Sequence, residues 1–356
     1  MSFAEFISRY DYDVAPEHIA TKPARPRDSA KLLVSDPQTE QVQYDTFLNL
    51  DRYVPRDSLF IFNNTKVIPA RLPCSLPTGG TVELLWVAAG KTPRTFEALS
   101  PRILQKGTVL RFNNCELTIL SKRENIYRLA YTATPAQFKA LMMRSGKTPI
   151  PPYLKNTPLK ERALRAEYQA IFARREGSVA APTASLHFTT RVLSRLKKKG
   201  VHMAFVTLHV NLGTFAPLTE KNLDTERLHE EFYEIPASTR RAIDSAKKQG
   251  RPVIPVGTTA LRAIESAAIN GRDSGTTDLF IQEGYRFKVA DGLITNFHVP
   301  RSSLVILVSA LLGRTKTLGL YRDALRHGFR FFSFGDAMLI RPPVSFEQPE
   351  DSAERR

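Results

Sequence analysis

The sequence predicts an α/β protein that carries a small all-β segment, and three observations predict it. From about residue 160 onward, strand-like and helix-like runs alternate, the pattern of a sheet covered by helices. Between about 71 and 133 the texture changes to short strand-like runs, "TVELLWVAA", "TVLRF", "ELTIL" and "YRLAY", set off by "TGG", "QKG", "NN" and "KREN". Such spacing reads as a small β-barrel or sandwich. Finally, 356 residues that are 42% hydrophobic can bury a core and fill about two domains.

The elements follow in order. "LLVSD" (32–36) and "SLFIFNN" (58–64) read as strands that stop at turn residues. After the all-β segment, Thr134 can cap a helix, Pro135 fits its first turn, Gln137 completes a capping box and Gly146 ends it. "KTPIPPYLKNTP" is proline-rich and basic, a linker or exposed arm. "LKERALRAEYQAIFARRE" reads as a helix, and "TTRVLSRLKKKG" as another that runs from a threonine cap to Gly200. "MAFVTLHV", "PVIPVGTT" and "GLITNFHV" read as strands. "STRRAIDSAKKQG" and "ALRAIESAA" read as helices, and "SSLVILVSALLG" as a buried one. The tail after Pro342 is polar and expected to be loose.

Composition narrows the function. A formal net charge of +16 points to a polyanionic partner, nucleic acid foremost, because a basic field attracts phosphate. Two distant cysteines, Cys74 and Cys115, give neither a disulfide scaffold nor a zinc or iron–sulfur cluster. "MSFAEFISRYDYDV" lacks the apolar stretch of a signal peptide, and "LVILVSALLG" is too short for a bilayer. A soluble, cytoplasmic protein without a membrane partner is expected.

Several motifs fail. "RSGKT" (144–148) ends like a phosphate-binding loop, but position 141 is leucine and Pro149 stands where a helix should continue. "LHEEFYE" (228–234) lacks the second histidine of a zinc helix, and no G-x-G-x-x-G follows a strand.

What remains are polar groups near strand ends. On "FVTLHVNLGTF", alternation puts Thr207, His209 and Asn211 on one face, as a satisfied network or as a ligand-lining surface. "GLITNFHVPRSSL" places Ile294, Asn296 and His298 together, with Ser302 or Ser303 able to cap the next helix. "PVGTTALRAIESA" is a strand, a tight turn with Thr258 and Thr259, and a helix start that offers N–H groups to an anion. Arg262 and Glu265 are spaced for a local ion pair. A metal site from His187, His209 and His298 has no supporting ligand spacing, and no metal is expected.

These stretches carry a resemblance. The chain resembles the S-adenosylmethionine:tRNA ribosyltransferase-isomerases of queuosine biosynthesis. The resemblance rests on "DYDVAPEHIA" with "RPRDSAKLLV", "FIFNNTKVIPARL", "TGGTVELL", "IPPYLK", "YQAIFAR", "GSVAAPTASLHFT", "VTLHVNLGTFAP", "HEEFYEI", "VGTTALRAIESA", "DGLITNFHVPRSSL" and "FRFFSFGDAMLI". It departs at Asn211 and Ser185, where the family tends to have glycine, at Lys66 for arginine and at Ser303 for threonine.

The resemblance implies an α/β core, residues 1–70 and 149–356, with a β-barrel inserted at 71–148. It also implies transfer and isomerisation of the ribosyl part of S-adenosylmethionine onto an aminomethyl-deazaguanine at the tRNA wobble position. The products are epoxyqueuosine-tRNA, adenine and methionine. S-adenosylmethionine is consumed as co-substrate, no other cofactor is implied, and a monomer is expected. The rival from another class is a non-catalytic RNA-binding protein or a divergent homologue that uses S-adenosylmethionine differently.

On the matched motifs, His187, His209 and His298 are candidate acids and bases, with Glu230 or Glu231 and Asp291 as carboxylates. Substrate contacts are expected from Ser178, Ala181, Pro182, Thr183, Thr207, Asn211, Thr258, Thr259, Arg262 and Asn296. The small residues from Ser178 to Ser185 are expected to form a wall beside the adenosyl group, with His187 turned toward the sugar. For tRNA, the basic candidates are Arg191 with Lys197, Lys198 and Lys199, and Lys147, Lys155 and Lys160.

Overall fold

The structure, a computed structural model, describes residues 2–211 and 218–342. The tail expected to be loose lies outside the described residues. A capping box between Ser2 and Glu5 starts α1 (Phe3–Ser8). β1 (Lys31–Ser35) and β2 (Val42–Thr46) pair antiparallel, and β3 (Leu59–Asn63) follows with all five residues buried. On β3, Leu59 and Ile61 join the core on one face of the sheet, and Phe60 and Phe62 join the core on the other. A strand covered on both faces reads as a continuous apolar run.

β4 (Thr65–Val67) leads into the all-β segment. β5 (Arg71–Ser75), β6 (Thr81–Ala89), β7 (Thr95–Leu99), β8 (Val109–Phe112), β9 (Cys115–Arg123) and β10 (Ile126–Tyr131) close into a barrel in the order β10-β7-β6-β5-β8-β9. A barrel, not a sandwich, is therefore formed. Alternation turns Leu72, Leu84, Leu110, Leu117 and Leu129 inward, each fully buried. Burying each contributes about 1.5–3 kcal/mol. Both cysteines are free and buried in this core, and burial pushes the Cys74 thiol up to about 12.

α2 (Pro135–Ser145) has the expected Thr134–Gln137 capping box and ends at Gly146. The Lys147 backbone then pairs with Arg71, so the chain leaves the barrel beside the point where it entered. α3 (Glu161–Glu167) is shorter than the sequence predicts. Tyr168 ends it by burying its ring with Leu164 and Phe334, and Arg175–Ser178 becomes β11, parallel to β4. Tertiary packing here overrides helix propensity.

The remainder alternates: α4 (Thr190–Lys198), β12 (His202–Leu208), α5 (Glu220–Thr225), β13 (Arg227–Glu234), α6 (Ala237–Lys248), β14 (Val253–Val256), α7 (Thr258–Asn270), β15 (Ser274–Leu279) and β16 (Leu293–Asn296). α8 (Ser303–Leu312), α9 (Arg314–Arg326) and β17 (Ala337–Ile340) complete it. The large sheet has nine strands in the order β15-β13-β12-β3-β14-β16-β17-β1-β2, and β12, β3, β14 and β16 run parallel as neighbours. β12 stops at Leu208 and β16 at Asn296, so His209, Asn211 and His298 lie beyond the strands rather than on their faces. Among the described residues, no single helix is long and apolar enough to cross a membrane.

Candidate active site

The four parallel strands deliver their carboxyl ends to one edge of the sheet, and a cleft of about 490 Å³ opens there. Open α/β sheets place ligands at this edge. One wall is the small-residue run Ala180, Ala181, Pro182, Thr183 and Ala184. At Gly257, φ is +89°, a value that favours glycine, and this lets β14 turn directly into α7. Thr258 and Thr259 open that helix and line the cleft, and first-turn N–H groups have no acceptor within a helix.

Arg262, one turn on, is buried in the cleft wall. Its Nη1 donates to Glu231 Oε2 of β13 and its Nε donates to Leu279 O at 3.1 Å, while Nη2 is buried without a partner. The expected partner of Arg262, Glu265, is engaged elsewhere. Its oxygens accept from Tyr285 Oη and from the N–H groups of Lys288, Val289 and Ala290, at 2.8–2.9 Å. A buried donor left unpaired is costly, so a ligand acceptor beside Nη2 would relieve it.

A second polar group sits at the end of β16. Thr183 Oγ1 donates to Asn296 Oδ1 at 2.8 Å, and Asn296 Nδ2 donates to His187 Nε2 at 3.2 Å. His298 Nε2 and Thr295 Oγ1 are 2.8 Å apart. Burial depresses the His298 pKa to about 3, so its imidazole is neutral near pH 7. His187 is likewise held near 3, by burial first and then by the charges of Arg330 and Arg27.

The structure brings together Ala181, Pro182, Thr183, Thr258, Thr259, Arg262, Asn296 and His298, which all line the cleft. Other expectations are corrected. His187 does not face the cleft; it is packed against Phe47, behind Asn296. His209 is bonded through Nδ1 to Thr65 Oγ1 at 2.7 Å and lies against Phe232, so the three histidines do not converge. Burial, with Arg175 nearby, lowers its pKa.

Ser178 uses its hydroxyl to tie the backbone of Ala180 and Val210, and Thr207 donates to Asn64 Oδ1 at 2.8 Å. Neither lines the cleft, nor does Asn211. On β13, Glu230 is exposed and points away, whereas His229 and Glu231 face inward. Asp291 accepts from Lys247 Nζ and the Val253 N–H, both at 2.8 Å, at the amino end of β14.

The basic candidates scatter. Lys197, Lys198 and Lys199 precede β12 and so lie at the amino ends of the strands, and Lys199 donates to the Asp51 carbonyl. Arg191 clamps buried Asp28, with Nη2 at 2.6 Å from Oδ1. Lys147 is paired with Glu83 at 3.6 Å. Lys155 and Lys160 are exposed, and Lys155 is two residues past Tyr153 of the cleft wall.

Comparison with known proteins decides the family. Residues 7–340 match the family described as queuosine biosynthesis protein. The chain belongs to that family. It is 43% identical to the S-adenosylmethionine:tRNA ribosyltransferase-isomerase of Gloeobacter violaceus, over 94% of this chain and 95% of the relative. It is 42% identical to the enzyme of that name from Aquifex aeolicus, over 94% and 99%. The crystal structure of S-adenosylmethionine tRNA ribosyltransferase from Thermotoga maritima is similar, with a TM-score of 0.54, 30% identity and coverage of 93% of this chain and 99% of that one.

In this queuosine-family chain, sequence reasoning missed several cleft residues: His229, Tyr153, Tyr168, Asn222 and Arg301. His229 was legible in principle. Reading "HEEFYE" as a strand puts positions 229 and 231 on one face and 230 on the other. Tyr153 and Tyr168 come from a proline-rich stretch and a helix end, and nothing local marks where such segments pack.

Proposed function

We propose that the chain is an S-adenosylmethionine:tRNA ribosyltransferase-isomerase of queuosine biosynthesis, acting in the cytoplasm as a monomer. It transfers and isomerises the ribosyl part of S-adenosylmethionine onto the aminomethyl-deazaguanine at the wobble position of tRNA. Adenine and methionine leave, and epoxyqueuosine-tRNA forms. The observation that carries this reading is the family match over residues 7–340, with relatives of that name covered nearly end to end.

The cleft offers groups suited to each demand of the reaction. The sulfonium acidifies the hydrogens on the adjacent ribose carbon, and a base must take one. His298 is neutral and lies at the cleft, so it is free to accept a proton, but burial makes it a weak base and a bound substrate must raise its pKa for it to serve. Glu231 and Arg262 form a buried ion pair in the cleft wall, and a substrate carboxylate that reaches the buried Nη2 would complete the guanidinium's bonding. The wall from Ala180 to Ala184 lets a flat adenine approach the backbone closely. We assign residues 71–148 to an inserted domain and place tRNA contacts at Lys155 and Lys160 of the core domain.

Mixing the protein with S-adenosylmethionine and tRNA bearing the aminomethyl-deazaguanine tests this. Adenine is expected to be released only when all three are present. Release of methylated tRNA, or of nothing, would end the proposal.

A further inference from the structure

A second cavity, of about 230 Å³, lies where the barrel meets β11. Trp86, Phe96, Tyr131 and Phe138 line it from the barrel and α2, and Glu176 and Gly177 close it from β11. Tyr131 and Phe138 are stacked, with centroids 4.1 Å apart and planes at 15°. A register shift between Trp86 and Ala88 breaks the alternation of β6. Bulges of this kind re-aim side chains. Trp86 is half-buried at the cavity wall.

The rim is basic. Lys66 and Lys139 share one carboxylate, Glu176, at 3.2 and 3.1 Å, which leaves one positive charge in excess. Both lysines keep substantial exposure, 40% and 64%.

A short stretch of chain links the cavity to the cleft, through the buried Ser178 and Val179. Gly177 closes the one, and Ala180, three residues later, lines the other, a span of about 10 Å in extended chain. The neighbouring segment makes the same crossing. The His209 ring packs on Gly177 so closely that a Cβ there would lie 3.0 Å from Nε2, and Val210 lines the cleft.

We propose that this second cavity receives an unstacked base of the tRNA anticodon loop, a sequence neighbour of the base being modified. The base stacks on Trp86 while its phosphates pass over Lys66 and Lys139. Single-stranded RNA is held in this way, by aromatic platforms beside cationic tracks. The proposal rests on the tRNA-modifying function argued above. It deepens that function by giving the barrel a share in binding the loop.

The chain has a single tryptophan, so its fluorescence reports on this site directly. Titration with an anticodon stem-loop RNA is expected to quench it. The same RNA made abasic at the flanking nucleotides, one at a time, should lose the quench at one of them. W86L should weaken stem-loop binding roughly 5- to 150-fold, the range for removing one stacked base. W86F should retain most of the affinity, and the KM for S-adenosylmethionine should not move in either variant. Tight binding with unquenched tryptophan, or full affinity in both W86L and K139Q, would overturn the proposal. If the parent protein binds and quenches but releases no adenine, the functional reading fails and the base site stands.

Discussion

The two ends of the same four parallel strands use similar residues to opposite effect. At the amino ends, Asp291 is bonded to Lys247 and the Val253 N–H, and Lys199 donates to the Asp51 carbonyl. At the carboxyl ends, Arg262 keeps an unpartnered buried Nη2, the α7 start presents Thr258 and Thr259, and His298 is buried in neutral form. A charged group serves a ligand only if it has bonding capacity left over. Residue type alone does not reveal that, nor does an unpartnered atom alone, since Arg251 Nε at the amino end of β14 is also buried without a partner. At the carboxyl ends such an atom belongs to a residue that lines a cleft.

The largest expected effect breaks the carboxyl end. R262L leaves Glu231 buried and unpaired, which costs about 3–5 kcal/mol of stability. Adenine release should vanish. The double variant R262L/E231L removes both charges and should recover most of the stability without recovering activity. Urea unfolding and adenine assays on the three proteins separate the two roles. A double variant that releases adenine would place the chemistry outside this cleft.

Next is His298. H298A should lower turnover about 100-fold if it takes the proton, with folding preserved. The same histidine and His187 set an acid limit. Their folded pKa values are near 3 against an ordinary 6.5, so the unfolded chain binds protons in this window that the native one refuses. Their stabilising contribution is therefore present above about pH 6.5 and lost as pH falls toward 3. Unfolding followed across this range should show a shallower acid slope in H298F than in the parent. An identical slope would mean that His298 takes up its proton alike in the folded and the unfolded chain.

Much of the fold was legible because it rests on local rules. The Thr134–Gln137 box, the Thr189 cap and the strand–helix alternation from β12 to α7 each show in a few residues. The cleft was legible where a motif sits at a strand end, as with Thr258, Arg262, Asn296 and His298. It was not legible where the answer depends on which way a chain turns. Glu230 and Glu231 differ by one position on a strand, and His187 differs from Thr183 by one turn of a short helix. Asp291 has the composition of a site residue but sits at the far end of β14.

The amino end should tolerate more. D291N gives up an ion pair in which both side chains keep some exposure, and a loss of about 1 kcal/mol is expected, with unchanged turnover. An adenine assay beside an unfolding curve checks both. A loss of turnover larger than the loss of folded protein would return Asp291 to the chemistry.

The smallest effect sharpens the comparison most, because it is a difference between two pairs of lysines. Lys197 and Lys198 are exposed at the end of α4, just before β12, and β12 spans about 20 Å from there to the cleft edge. Lys155 and Lys160 are also exposed but follow the cleft-lining Pro151–Tyr153 stretch. Each phosphate contact on a single strand contributes about 0.7 to the slope of log affinity against log salt. K155Q/K160Q should therefore flatten the slope for tRNA by about 1.4, and K197Q/K198Q should leave it unchanged. Salt titrations of tRNA binding by the parent and the two double variants measure this. A flattened slope in K197Q/K198Q would show that the tRNA reaches around to the amino ends of the sheet, and the functional division between the two ends would not hold for RNA.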